Sequence, residues 1–342
     1  MKIDITVGSQ ETSLRKRIKH YRAIARDIQN HLAAHPTEWG RFQSQFNQEI
    51  NGIFRDLMIF EKKNLARGNE DRVYKLKRLF VRHFRNDFVR GRYLERSLKK
   101  PLGYAGDYRI IDDIYQNDPQ SEGFDRLYDN YFQMSAICVA VRNRKEDFKE
   151  IILNAVRGAK TGQIKIMDLA SGPCRDVVEV LDSPLLQGRK ITFDCYENDE
   201  RAVEYSRTLL RNDRRVRFVK QNVVRLALKK EIKTDVPESY NLIYSSGLFD
   251  YLDYRVSVRL VSNLKRLLQP GGLLAISDVR DKFSNPSIYF MEWVADWNLI
   301  YRDDDNFKQI FLDAGFLEKD LSRRYEQQGI MQYVIAENKP RP

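Results

Sequence analysis

The chain has 342 residues, with 59 Lys+Arg against 48 Asp+Glu for a formal net charge of +11, and 42% of it is hydrophobic. That length supports a full core and two structural units. No apolar run approaches the length that spans a bilayer, and the first residues, MKIDITVGSQETS, lack the apolar core of a signal peptide. Cys138, Cys174 and Cys195 have neither disulfide nor metal-ligand spacing, so no metal site is expected and the expected setting is a reducing cytoplasm.

The basic excess is local: residues 1–107 hold 23 Lys+Arg against 12 Asp+Glu, and beyond them the two signs cancel. Apolar residues recur there at three- and four-residue spacing over 14–33, 42–64 and 71–90, with breaks near His35-Pro36 and Gly68-Asn69. The pattern predicts a helical domain over 1–120. Arg15, Lys16, Arg17 and Lys19, then Lys75, Lys77, Arg78, Arg82 and Arg85, are interleaved with aromatics. Such interleaving suits nucleic acid or an anionic membrane surface. The plainer reading is a solvated face over an aromatic core of Tyr21, Phe54, Phe60, Tyr74, Phe80, Phe84 and Phe88. A Gly- and Tyr-rich break at 99–108, KKPLGYAGDY, precedes a helical stretch over 123–157 that leads into a second domain, 121–342.

Residues 164–176, IKIMDLASGPCRD, carry the most chemistry. A hydrophobic run ends in Asp168 and passes through the small residues Ala170, Ser171 and Gly172 into a helix bearing Val177, Val178, Val180 and Leu181. Small residues let the backbone approach a ligand, and the first amides of the helix face the same crevice. Four further strands follow, at 191–197 with Glu197 at its end, 216–222 with Asn222 at its end, 240–246 and 273–278. Helices over 201–210 and 257–268 separate them, and Gln269-Pro270-Gly271-Gly272 reads as the turn that closes the last crossover helix. The order is repeated βαβ with a parallel sheet.

Through these residues, over about 161–338, the chain resembles the class I S-adenosylmethionine-dependent methyltransferases. The resemblance implies an α/β fold: a Rossmann-like, mostly parallel sheet with an antiparallel C-terminal strand, accompanied here by the N-terminal helical domain. It also implies S-adenosylmethionine as cofactor, with Asp168 and Gly172 flanking the methionine part, Glu197 on the ribose hydroxyls and Asn222 at the adenine amino group. Ala170, Ser171, Arg175, Asn198, Val223, Ser245 and Gly247 complete the expected set. A carboxylate suits two ribose hydroxyls. A methyltransferase has no pyrophosphate to cradle, so the missing second and third glycines argue against a dinucleotide. Tyr104 and Asp107 either close over the cofactor as a lid or form a structural turn.

Four segments narrow the resemblance: 99–108, Ala140-Val141-Arg142-Asn143-Arg144, Gly247-Leu248-Phe249-Asp250-Tyr251-Leu252, and MEWVADWNLIYR at 291–302. They are similar to the bacterial methyltransferases that make the extracellular factor methyl 3-hydroxypalmitate, a fatty acid methyl ester. This similarity implies methylation of the carboxylate of a small hydrophobic acid. An independent argument agrees with it. All four histidines, His20, His31, His35 and His83, lie in the N-terminal third. A hydroxyl with a pKa near about 15.7 needs a base to become a nucleophile, whereas a carboxylic acid of pKa roughly 4–5 is already ionised at neutral pH.

A carboxylate acceptor calls for a cation, and the fork of arginine matches two oxygens. Arg302 is the first candidate, with Arg142 and Arg144 behind it. Asp250, Tyr251 and Tyr104 complete the candidate catalytic set, the first two lying beyond the fourth strand, where acceptors approach in this fold. Trp293 and Trp297, at i and i+4, would share a helix face lining an acyl pocket or a domain interface. Two alternatives stay open. One is an RNA or DNA methyltransferase docking through the basic domain, although no Asn-Pro-Pro-aromatic tetrad follows the fourth strand and the only Pro-Cys pair, Pro173-Cys174, lies inside the cofactor loop. The other is a non-catalytic adaptor, against which the polar residues Asp168, Glu197 and Asn222 speak.

Overall fold

A computed structural model describes residues 5–159 and 162–340; residues 1–4, 160–161 and 341–342, which include the very start of the chain and the first residue of the methyltransferase resemblance, lie outside the described residues. The chain divides into two compact units, one built from Met1–Ile110, Asn117–Cys138 and Asn285–Asn298, the other from Ile111–Gln116, Val139–Ser284 and Leu299–Pro342. The expected single boundary at residue 120 therefore gives way to an interwoven division, because aromatic side chains from 124–132 and 289–293 complete the core of the helical unit.

That unit contains α1 (Ile5–Ala34), α2 (Gln43–Leu65), α3 (Glu70–His83), α4 (Arg92–Lys99), the first turn of α5 (Tyr108–Gln116), α6 (Gly123–Met134) and the start of α7 (Ala136–Gly158). Phe46 of α2 packs edge-on against Phe124 and Tyr128 of α6, and Phe290 meets Phe54, Tyr131 and Phe132. α3 ends at His83, not at residue 90 as its periodicity suggests. A continuous helix would carry Phe88 about 12 Å beyond Phe80. The tight turn Arg85–Asp87 instead folds Phe88 back, so that its ring stacks at 5.6 Å from Phe80 and 5.1 Å from Tyr21. The predicted helix over 123–157 is two helices, because Ser135 takes an extended conformation between them.

The second unit carries a seven-stranded sheet of order β3-β2-β1-β4-β5-β7-β6. Its strands are β1 (Ile164–Leu169), β2 (Ile191–Glu197), β3 (Val216–Lys220), β4 (Tyr240–Ser245), β5 (Leu268–Val279), β6 (Leu321–Tyr325) and β7 (Met331–Glu337). The first five are parallel, and β7 runs antiparallel to both neighbours. The helices are the rest of α5 and of α7, then α8 (Arg175–Leu181), α9 (Glu200–Leu209), α10 (Val223–Leu228), α11 (Ile232–Asp235), α12 (Tyr254–Leu267) and α13 (Asp304–Asp313).

Both faces of the sheet are covered, which is why its central strands are nearly continuous apolar runs. Met167, Leu169 and Ile243 pack with Leu260, Leu264, Phe307 and Phe311 on one side. Ile166, Phe193 and Leu242 pack with Phe148, Ile152, Val177 and Val180 on the other. The predicted turn Gln269–Gly272 is instead the first part of β5. Its register shifts against β4 between Tyr240 and Leu242, Gly271 has φ +75°, and a Cβ on Gly272 would lie 2.8 Å from the Tyr240 carbonyl. The glycines thus make a bulge, not a helix stop. Strand order reverses between β1 and β4, which opens a crevice at the carboxyl ends of the parallel strands.

Candidate functional site

The loop after β1 is held open by its backbone. Ala170 and Ser171 N–H groups donate to the Tyr196 carbonyl at 2.8 and 3.2 Å, drawing the loop over the end of β2. Ala170, Gly172 and Cys174 all have left-handed φ, at +58°, +54° and +51°. For Ala and Cys that conformation costs roughly 1–2 kcal/mol each, so the surrounding bonds must enforce it. The space a Gly172 Cβ would occupy is empty. Asp168 Oδ2 and Ser171 Oγ are buried without a hydrogen-bond partner.

Glu197, half-buried at the tip of β2, closes this loop from the other side. Its Oε2 accepts the Gly172 N–H at 3.0 Å, and its Oε1 accepts those of Asn198 and Asp199 at 2.7 and 2.9 Å. A carboxylate offers about four acceptor positions, so three are fixed by backbone and about one remains for a ligand. Asn198 contributes through its backbone; its side chain is exposed.

Beneath the loop lies a buried acid pair that the sequence did not reveal. Tyr244 donates to Asp176 Oδ2 at 2.8 Å, linking β4 to the first turn of α8. Burial, and next the charge of Asp176, hold Asp168 well above the usual carboxylate range; burial raises Asp176 as well. Burial likewise pushes the Tyr244 phenol well up. Cys174 and Cys195 lie against Asp168, their donor atoms all within 4.8 Å. A hydrogen bond that the Cys195 thiol donates to Cys174 Sγ, followed by burial, raises Cys195 well above the usual thiol range, so Cys195 packs as a neutral thiol.

The end of β4 carries a second polar cluster. Gly247 has φ +85°, and a Cβ there would meet the Arg144 guanidinium at 2.8–3.2 Å, so the guanidinium lies flat against this backbone. Arg144, from α7, is 4% exposed, pairs with Asp250 at 3.6 Å, and has no partner for its Nε. Asp250 Oδ1 accepts the Val279 N–H at 2.9 Å. Tyr115, at the end of α5, interacts with Arg144 and Ser246, yet burial outweighs both and pushes its phenol up to about 12. Tyr251 is 45% exposed beside this cluster in sequence.

Several expected roles change. Arg302 is not an open clamp: Nη1 donates to the Phe249 carbonyl at 2.9 Å and to Asp278 Oδ1 at 3.0 Å, and Nη2 donates to the Leu252 carbonyl. With 5% of its side chain exposed, it ties β5 to the loop after β4. Arg175 is spent on Asp112 of α5, which also accepts from Tyr205. Asn222 Oδ1 caps α10 by accepting from Val224 and Arg225 N–H at 2.9 and 3.2 Å. Only its NH₂ is left for a purine, as a donor to a ring nitrogen and not as an acceptor for the amino group. Val223 begins α10, half-buried. Ser245 Oγ donates to the Leu169 carbonyl, fixing β4 to β1. Arg142 reaches the Ile114 carbonyl at 3.4 Å.

In the helical unit, Asp107 is fully buried, accepts the Arg96 fork and receives the N–H groups of Arg109 and Ile110, so it starts α5. Tyr104 is 40% exposed. Trp293 and Trp297 do not share an α-helical face. Phe290–Val294 is a wider π-helical turn that stops at Asp296 (φ +51°), and Trp293 packs on Phe80 and Tyr289 as core.

Some of the unpartnered buried polar atoms lie toward the carboxyl ends of the strands: Asp168 in β1 and Ser171 after it, and Ser277 and Asp278 in β5. Together with the open space at Gly172 they fit a polar small-molecule cofactor lying across the switch point. The sheet order with antiparallel β7, the small-residue loop after β1 and the acid at the tip of β2 define the class I methyltransferase fold. Residues 75–280 match the family Methyltransf_20, described as "Putative methyltransferase", and the chain belongs to that family. Its structure is similar to that of a possible exported protein from Bordetella parapertussis (17% identity, TM-score 0.57, covering 78% of this chain and 96% of that one). It is also similar to a "putative methyltransferase" from Thermobifida fusca (14%, 0.51, 67% and 94%). A weaker likeness is to magnesium protoporphyrin IX methyltransferase from Synechocystis PCC 6803, solved with bound SAM (14%, 0.43, 66% and 89%). Identities this low speak to the fold alone. No curated protein matches the chain.

Proposed function

We propose that this methyltransferase uses S-adenosylmethionine to esterify the carboxylate of a fatty acid or another small hydrophobic acid. The observation that carries the reading is the Arg144 guanidinium against Gly247 at the end of β4, in a unit whose sequence contains no histidine. The titratable neighbours there are committed elsewhere: Tyr115 is held near 12, Asp250 is engaged by Val279 and Arg144, and Asp278, which burial and then Asp250 raise well above the usual carboxylate range, accepts from Arg302. A guanidinium without a base suits an acceptor that arrives as an anion.

When bound, S-adenosylmethionine supplies an electrophilic sulfonium methyl: an acceptor oxygen bonds to its carbon while the carbon–sulfur pair stays on sulfur, and an ionised carboxylate needs no proton removed. The residues then have positioning tasks. Glu197 uses its remaining acceptor position on the ribose. Asp168, buried and lacking a partner for Oδ2, suits the cationic amino group of the methionine part. Arg144 holds the acceptor carboxylate in line, a contribution that comes from orientation and exclusion of water.

The test is incubation of the purified protein with methyl-labelled S-adenosylmethionine and a panel of long-chain fatty acids. Label extracted into the lipid phase and released as methanol by mild alkali supports the reading. Label that enters only RNA, or no transfer at all to acids, overturns it.

A further inference from the structure

The excess cations of the helical unit are not spread evenly, and on one face they lack acidic partners. α2 exposes Arg55, Ile59 and Lys63, and α3 exposes Tyr74, Lys75, Arg78 and Arg82 with the single acid Asp71 among them, each set at the three- and four-residue spacing of a single helix face. The opposite faces converge inward, since Phe54 of α2 and Phe80 of α3 both lie 5.6 Å from the Phe88 ring. The two helices are joined by a four-residue turn, 66–69, and pack on each other. Their outer faces therefore adjoin. Ile59 lies about 9 Å and Tyr74 about 6 Å along its helix from that turn, so the two sit at similar height.

Two features set this face apart. Among the described residues, Arg55, Lys63, Lys75, Arg78 and Arg82 form no ion pair, whereas several surface cations of the other unit do: Arg207 with Glu204, Lys220 with Glu200, Lys229 with Asp235, Arg266 with Glu231. Amid the unmatched charge stand two large apolar side chains in water, Ile59 at 60% and Tyr74 at 58% exposure. Burying them internally would have been the ordinary solution.

We infer that the α2–α3 hairpin is a docking face for an anionic lipid bilayer, with the five cations meeting lipid headgroups and Ile59 and Tyr74 entering the boundary beneath them. Apolar side chains ringed by Lys and Arg are what an interfacial helix pair requires. Single-stranded nucleic acid would ask for a row of aromatic platforms, and this face offers one ring and an aliphatic side chain. The inference does not depend on which acid is methylated.

Co-sedimentation of the full chain with vesicles tests it. Binding is expected to vesicles of phosphatidylcholine mixed with phosphatidylglycerol, not to phosphatidylcholine alone, and is expected to fade from about 0.1 to 1 M salt as the Debye length shrinks from about 10 to 3 Å. At roughly fivefold per cation, Lys75→Ala, Arg78→Ala and Arg82→Ala together should weaken binding about a hundredfold. Ile59→Ser with Tyr74→Ser should weaken it while leaving the salt dependence intact. These positions are exposed, so the variants are expected to stay folded, which thermal melting checks. Three results would overturn the proposal: no binding to anionic vesicles at low salt, binding unchanged in the triple variant, or tight binding of a short RNA that the Ile59 and Tyr74 changes do not touch.

Discussion

At the residue scale, the site rests on two carboxylates with opposite surroundings. Glu197 is half-exposed and accepts three backbone N–H groups, two on Oε1 and one on Oε2; Asp168 is buried with one oxygen idle. Glu197→Ala should weaken S-adenosylmethionine binding by about 1.5–3 kcal/mol, the worth of a charge-assisted hydrogen bond. Titration calorimetry reads it, and an unchanged dissociation constant in a folded variant removes the ribose role. Asp168 makes a different prediction. Its folded pKa stands above the unfolded value of about 3.9 because of burial and Asp176. The folded state therefore binds more protons than the unfolded one between those two values, and stability falls as pH rises through that interval. Asparagine has no proton to lose. In cofactor-free protein, the melting temperature of Asp168→Asn should gain on that of wild type from pH 5 to pH 8, while its cofactor binding weakens. A variant that loses ground at the higher pH would mean that the Asp168 carboxylate has a cationic partner inside the fold.

At the element scale, the junctions after β4 decide how the acceptor end is built. Gly247→Ala meets a left-handed φ and the Arg144 guanidinium at once. It should lower kcat/KM for the acceptor by tenfold or more, at about 1.4 kcal/mol per decade, with the cofactor dissociation constant nearly unchanged; equal losses in both would place the strain in the cofactor loop. Arg302→Met removes one partner of a buried charge pair, a change that costs about 3–5 kcal/mol when the remaining charge is left alone. The cost should be smaller here, because burial and Asp250 already favour protonated Asp278. A fall of several degrees in melting temperature is the expected signature, and a stable Arg302→Met with a raised acceptor KM would restore Arg302 as the clamp. These junctions also mark the limit of what the sequence discloses. β1, its loop and β2 were legible because a strand end, small residues and an acid are contiguous. Arg302 and Arg144 were not separable, since which of two arginines spends its fork on carbonyls is decided by residues some 50 and 100 positions away. The β5 bulge escapes the sequence for the same reason: Gly271-Gly272 signals a turn locally, and it is the backbone pairing with Asn338, some 66 residues on, that makes it a strand.

At the scale of the whole molecule, the parallel βαβ order and the helical third were readable from periodicity, whereas the division into units was not. Residues 285–298 follow the fifth strand in sequence, yet their Phe290 and Trp293 rings complete the helical core, a pairing across more than 200 residues that no local pattern encodes. One consequence of the composition spans the chain, because its four histidines all fall in the helical unit. If an ionised carboxylate is the acceptor and no group of the catalytic unit must give or take a proton, the single-turnover rate should rise through roughly pH 4–5 with acceptor ionisation and then stay nearly flat from about pH 6 to 9. Tyr115, held near 12, would not titrate within that range. Single-turnover measurement keeps product release out of the rate, and the cofactor must be saturating at each pH, because the Asp168 proton would otherwise enter the profile through binding. A rate that climbs tenfold per pH unit near neutrality would demand a base. Asp250, Tyr251 and the helical-unit histidines would be the residues to replace, and a product stable to mild alkali would exclude the ester altogether.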